Sequence, residues 1–222
     1  GRQVRGCDVR EMRGSLELRA AELLAKAGIG TVAFDPAVMS VHQMNTLQKA
    51  YAGKMMPAAD LVAGLRMKKD PEEIAAIRTA SQRTEAALEI MLAELRPGIT
   101  EREAAARLEY EFRCQGADGA AFDTIVLFGA RSSEPHGMPG DKALEPGDIV
   151  LIDCGCQREG YCADLTRTYV YGTIPSNWFE EIYNVTLTAQ EAAVAAVKPG
   201  ARTQDIDAVA RSIIRDAGYG ER

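Results

Sequence analysis

The sequence predicts an α+β chain: a short α/β segment, then a larger unit ordered helix pair, strands, helix pair. Three observations predict it. A capped helical pattern begins at Asp70, and a second opens at Thr100. Three strand candidates follow, "FDTIVLFGA", "DIVLIDCGC" and "YCADLTRTYVYG". A second helix pair then echoes the first, because "LRPGITEREAAARLEYEFRCQGADG" aligns with "VKPGARTQDIDAVARSIIRDAGYGE" at an offset of 102.

Residues 1–66 read as one unit, a partial α/β domain. "GSLELRAAELLAKAG" is a short helix closed by Gly28, and "GTVAF" is a short strand. "PAVMSVHQMNTLQKAYAG" reads as a helix with Pro36 in its first turn and a glycine at its end. The lone strand of this segment needs partners that the pattern does not reveal.

Residues 67–222 form the second unit. Asp70 suits a helix N-cap, Pro71 the first turn, and Glu73 the third position of a capping box. Ile74, Ile77, Leu88, Met91 and Leu95 recur at a helical period. "RPG" stops this helix, and Thr100 with Glu103 three residues on starts the next, which ends near Gly116. After the strands, helices are expected near 177–197 and 203–217. In the echo, Pro97, Gly98, Arg113 and Gly116 meet Pro199, Gly200, Arg215 and Gly218. Ala104, Leu108 and Phe112 meet Ile206, Ala210 and Ile214, spaced as one helix face. A true repeat calls for a second set of strands after the second pair.

Apolar residues make up 46% of the 222, enough for a sizeable core. A net charge of −6 disfavours nucleic acid as a partner, since phosphate contacts need a basic face. No apolar run is long enough to span a bilayer, so no membrane partner is expected. The N-terminal stretch lacks the apolar core of a signal peptide and an initiator Met, as at a processed or cut end. The five cysteines (Cys7, Cys114, Cys154, Cys156, Cys162) are odd in number and irregularly spaced. They read as reduced thiols in a cytoplasmic setting, not as a disulfide framework.

The chemistry concentrates in "DCGCQREGYCAD". On one strand, Ile149, Leu151 and Asp153 share a face; on the next, Cys162, Asp164, Thr166 and Thr168 do. A two-residue loop at Arg158-Glu159 sets Asp153 opposite Asp164, with Cβ atoms about 5 Å apart. Two facing carboxylates repel unless a cation lies between them. A three-residue loop with Gly160 left-handed sets Asp164 opposite Cys154 instead, unless a further bulge restores the facing. Periodicity therefore leaves open both a metal site and two solvated strand-end aspartates. Cys154 and Cys156 point away from Asp153 in either register, and zinc-type Cys spacing is absent, so they read as small core residues. Cys162 shares the face of Asp164 and is the one thiol able to approach it. His136, in a Gly/Pro-rich loop, reads by itself as a solvated residue, and His42 as a surface or packing histidine.

These residues resemble a known superfamily. "EPHGMPGDKALEPGDIVLIDCGCQREGYCADLTRTYVYG" is similar to the first metal-binding segment of the pita-bread metallopeptidases. "LRMKKDPEEIAAIRTA" resembles the junction between their N-terminal and catalytic domains, and "FDTIVLFGARSSEPHG" their first catalytic strand and loop. "GYCADLTRT" is closer to the Xaa-Pro aminopeptidase and prolidase branch than to the methionine branch. The resemblance implies a pita-bread (creatinase/aminopeptidase) fold, incomplete in its C-terminal half, preceded by a remnant of an α/β N-terminal domain. It implies that Asp153 binds a divalent metal through both oxygens, that Asp164 bridges two metals, and that His136 hydrogen-bonds the substrate. Thr166, on the face of Asp164, could orient a ligand from behind. Oxygen-rich ligation favours Mn²⁺, with Co²⁺ or Zn²⁺ as alternatives. A hydroxide shared by both metals would attack the scissile carbonyl.

The same resemblance implies a peptide substrate with proline second, removal of the N-terminal residue, and a homodimer. A dipeptidase is the alternative, as is a binding protein that keeps the fold without chemistry; the paired aspartates argue against the latter and against a creatinase-like C–N hydrolase. The family's remaining ligands, a His and two Glu, have no counterpart here, so this chain by itself is expected to be inactive.

Overall fold

The computed structural model describes residues 14–173 and 176–220. Cys7 and the N-terminal stretch around it lie outside the described residues. The chain divides into two compact units between Asp70 and Pro71.

The first unit holds α1 (Leu16–Lys26), β1 (Thr31–Phe34), α2 (Val41–Ala50), β2 (Lys54–Pro57) and α3 (Leu61–Met67). The strand expected to stand alone has a partner in this unit: β1 pairs in parallel with β2, with α2 as the crossover. "KMMP" carries neither alternation nor β-branched residues. Its pairing comes from main-chain groups, which side-chain pattern does not display. Helix α2 begins at Val41, five residues later than Pro36 suggested. Ser40 Oγ accepts the Gln43 N–H at 3.2 Å, and Gln43 accepts the Ser40 N–H at 3.0 Å. That reciprocal cap outcompetes the proline, whose segment is held as a turn by Asp35 accepting the Ala37 N–H. Ala21, Leu47 and Tyr51 form the small core, and the Tyr51 hydroxyl donates to Ile29 O at 2.8 Å.

The second unit opens with α4 (Pro71–Ala93), starting at the predicted proline, and α5 (Glu101–Cys114). Thr100 and Glu103 close the expected capping box on α5. The buried stripe of α4 is Ala80, Thr84, Ala87, Leu88 and Met91, whereas Ile74 is 45% exposed. Periodicity in large apolar residues thus misplaces the first half of the contact face, which is lined by small side chains. Those allow close approach: the Cys156 N–H donates to Thr84 Oγ1 at 3.0 Å.

The strands are β3 (Gly119–Ala120), β4 (Ile125–Phe128), β5 (Ile149–Cys154), β6 (Cys156–Arg158), β7 (Tyr161–Cys162) and β8 (Leu165–Val170). The three predicted stretches are therefore subdivided. They form two antiparallel three-stranded sheets, β4-β5-β8 and β3-β6-β7. One long hairpin runs through both and is interrupted at Gly155 on one arm and at Ala163–Asp164 on the other. Val150, Ile152 and Cys154 point into a core with Leu88, Met91, Leu108 and Phe112. Each fully buried Leu or Phe contributes about 1.5–3 kcal/mol.

Helices α6 (Asn177–Ala196) and α7 (Thr203–Asp216) pack on each other. Their local structure repeats that of α4–α5 at the predicted offset. Gly116 and Ala117 N–H donate to Arg113 and Phe112 O; Gly218 and Tyr219 N–H donate to Arg215 and Ile214 O. The cap differs. Where Thr100 and Glu103 form a capping box, Arg202 and Asp205 form an ion pair at 2.6 Å. Burial differs too: Ala104, Leu108 and Phe112 are inaccessible, while no described residue of α7 is buried.

Candidate metal centre

Asp153 lies near the end of β5, the middle strand of its sheet, between Ile125 of β4 and Thr166 of β8. It is half-buried on the face opposite the core. The Thr166 hydroxyl donates to Asp153 Oδ1 at 2.8 Å. This bond fixes the carboxylate and leaves its second oxygen outside the interaction.

Asp164 does not face Asp153, so neither predicted register is correct. Cys154 pairs with Leu165, Gln157 with Cys162 and Arg158 with Tyr161. The turn is therefore Glu159-Gly160, one residue later than assumed, and both have positive φ, 53° and 85°. Two-residue turns of this handedness match strand twist but penalise a non-glycine first residue. The compensation comes from outside the hairpin. Asp118, in the connection after α5, accepts the Glu159 N–H at 2.6 Å and lies 3.4 Å from Arg158 Nη1. No local sequence signal announces that contact.

In this register Asp164 falls level with Gly155, two residues from Thr166, and is exposed. A Cβ on Gly155 would lie 1.9 Å from Ala163 O. Only glycine permits the two arms to approach so closely at the interruption, and the interruption sets where Asp164 leaves the strand. The Ala163 N–H donates to Cys156 O at 2.9 Å and carries the register across the gap.

The thiols behave as core groups where predicted. Cys154 and Cys156 are fully buried, and Cys156 Sγ donates to Ala80 O at 3.3 Å. Burial, aided by the nearby Asp153 charge, pushes the Cys154 thiol up to about 12. Cys162 and Cys114 are exposed. His42 is exposed on α2.

His136 stands exposed in a turn closed by the Gly137 N–H donating to Glu134 O. That loop is held by two residues sequence reasoning missed, Glu101 and Arg131. Glu101 is fully buried and accepts the Phe128 N–H at 2.9 Å, the Gly140 N–H at 2.8 Å and Arg131 Nε at 3.1 Å. In sequence it is one more acidic residue in a first helical turn. Its burial depends on a distant loop, so periodicity could not expose it.

Carboxylate oxygens suit hard divalent cations. Among the described residues, however, no three His, Cys, Asp or Glu side chains form a group that could hold a metal ion. Asp153 and Asp164 fit as part of a ligand set and do not make a closed one.

Taken together, the fold is the pita-bread fold of the prolidases and aminopeptidases P. The chain belongs to metallopeptidase family M24, whose sequence pattern matches residues 75–222. It is similar to the X-Pro aminopeptidase of Thermotoga maritima MSB8 (38% identity, TM-score 0.92, covering 99% of this chain and 62% of that one). It is also similar to the Xaa-Pro dipeptidase of Bacillus anthracis (36%, 0.89, covering 95% and 59%). Among curated proteins, the uncharacterized peptidase YqhT of Bacillus subtilis (strain 168) is 38% identical over 220 residues, 99% of this chain and 62% of that protein. The chain spans about three-fifths of the length of these relatives.

Proposed function

We propose that the parent protein is a metal-dependent peptidase that removes the N-terminal residue from peptides with proline in second position. Asp153 and Asp164 would be among the residues that hold its divalent metal ions. The observation that carries this reading is the Thr166–Asp153 bond between β8 and the central strand β5, with Asp164 two residues before Thr166 on the same arm of the hairpin. A bound pair of divalent ions, Mn²⁺ or alternatively Co²⁺ or Zn²⁺, would supply Lewis-acid polarisation of the scissile carbonyl. The protein's own contribution is geometric. Thr166 donates, so Asp153 stays an acceptor turned to one side. Gly155 brings the arms together so that both carboxylates leave the same stretch of hairpin. His136 hydrogen-bonds the substrate near the scissile bond.

Two carboxylates alone do not close a dinuclear site, and the 222-residue chain by itself is proposed to be inactive. Residues 1–66 are proposed to belong to a creatinase/prolidase-like N-terminal domain, and the full-length protein to be a homodimer in the cytoplasm. No described helix is long and apolar enough to cross a membrane. A dipeptidase is the second reading, favoured by the likeness to the Bacillus anthracis Xaa-Pro dipeptidase.

The test is cleavage of Xaa-Pro dipeptides and longer Xaa-Pro peptides by the full-length protein with Mn²⁺. Activity on longer peptides is expected, and Asp164→Ala should abolish it. Turnover surviving that substitution would remove Asp164 from the metal site; cleavage of dipeptides alone would favour the second reading.

A further inference from the structure

The Glu101 carboxylate is gripped by three donors, two backbone N–H groups and a guanidinium. It has no access to solvent, yet it lies at the first residue of α5, where backbone N–H groups favour negative charge. Its donors all come from the segment Phe128–Gly140. Phe128 donates where β4 ends, Arg131 from the 3₁₀ turn Gly129–Ser133, and Gly140 beyond the tip. Arg131 extends the grip, donating through Nη2 to Met138 O at 2.8 Å and pairing with Glu134 at 3.6 Å. The helix start adds main-chain clamps: Glu101 N–H donates to Lys142 O and Arg102 N–H to Gly140 O, both at 3.1 Å. At the tip, Gly137 is buried so tightly that a Cβ would lie 2.7 Å from Leu127 Cδ1. His136 therefore sits beside a fixed Gly137, on a loop tied to one carboxylate at both ends and in the middle.

We propose that Glu101 is a positioning residue for His136. By gathering Phe128, Arg131 and Gly140 onto one buried charge, it fixes where the imidazole is presented to the peptide. This role rests on the reading of His136 as a substrate-binding residue. Glu101→Gln keeps the shape but replaces one accepting oxygen with a donor. Arg131 Nε reaches both oxygens, so it faces the NH₂ group in either orientation of the amide, together with the Phe128 N–H in one and the Gly140 N–H in the other.

The chain has two histidines, so its imidazole spectrum carries its own control. In the 222-residue chain, E101Q should move the His136 ring signal toward that of an unstructured histidine and leave His42 unmoved. Hydrogen exchange at the Phe128 or the Gly140 amide, whichever the new NH₂ group faces, should rise about 10- to 100-fold, as loss of a hydrogen bond to a charged group implies, with β5 and β8 protection unchanged. A folded E101Q chain with His136, Phe128 and Gly140 all unchanged would overturn the proposal. Should E101Q fail to fold, Arg131→Gln decides by the same signals, since it removes the half-exposed partner and leaves Glu101 with its backbone donors.

In the full-length protein, E101Q should raise KM as His136→Ala does, and the double variant should be no worse than H136A. If H136A is impaired and E101Q is not, the positioning role falls. If H136A is silent, the reading of His136 falls, and this role for Glu101 with it, whatever the spectrum shows.

Discussion

Thr166 acts on Asp153 with a single hydroxyl, so Thr166→Val isolates that bond while keeping shape. In the full-length protein this substitution should weaken Mn²⁺ binding about 10- to 100-fold, as partners of metal ligands generally do when lost. Calorimetric titration reads it directly, and unchanged affinity would exclude Thr166 from the site. Gly155 carries the opposite kind of constraint, an absence of atoms. Gly155→Ala forces a methyl against the Ala163 carbonyl, backbone that cannot swing aside. The expected loss is about 1–3 kcal/mol in urea unfolding; a wild-type midpoint would show that the arms can part freely. At this scale the sequence reveals much. Strand parity alone separates Asp153 from Cys154, and the structure places one outward and the other in the core. It hides Glu101, whose environment is built by residues at positions 128 to 140.

At the scale of elements, legibility depends on whether the signal is local. The start of α4 at Pro71 and the cap of α5 at Thr100 are written within four residues each, and both appear where predicted. Strand β2 is not, because it exists only as the partner of β1. The hairpin register fails for the same reason. Arg158-Glu159-Gly160 offers several turns, and Asp118 selects among them from 41 residues upstream. Asp118→Ala should therefore cost about 0.5–1.5 kcal/mol, the worth of an ordinary hydrogen bond. Amide exchange should show the loss concentrated in β6 and β7. An unaltered chain would mean that Glu159 holds its left-handed conformation without help. The repeated helix pair makes a similar point: α7 reproduces the termination of α5 bond for bond, yet only α5 is buried. Local sequence specifies the helix end; burial needs strands to pack against.

For the molecule as a whole, Cys154 couples the core to pH. Its thiol ionises near 9.0 when exposed and at about 12 in the fold. The unfolded chain therefore loses a proton first as pH rises. Below 9 the contribution of Cys154 to stability is complete; between about 9 and 12 it declines, by up to about 1.4 kcal/mol per pH unit. Urea unfolding across that range should show wild type losing stability faster than Cys154→Ala. Parallel slopes would mean that the thiol is not held neutral.

The contact from Asp118 to the Glu159 turn also bears on the order of events in time. Hairpins usually close in microseconds because their turns are self-sufficient. Here the turn holds a glutamate in a left-handed conformation that costs about 1–2 kcal/mol. Its relief comes from a residue in the connection beyond α5. The two arms can explore slipped pairings until that connection is in place, so the carboxylates they carry come into alignment late. The connection that carries Asp118 thus acts as a template for the turn, and the register of the hairpin is settled by tertiary contact more than by the turn's own residues.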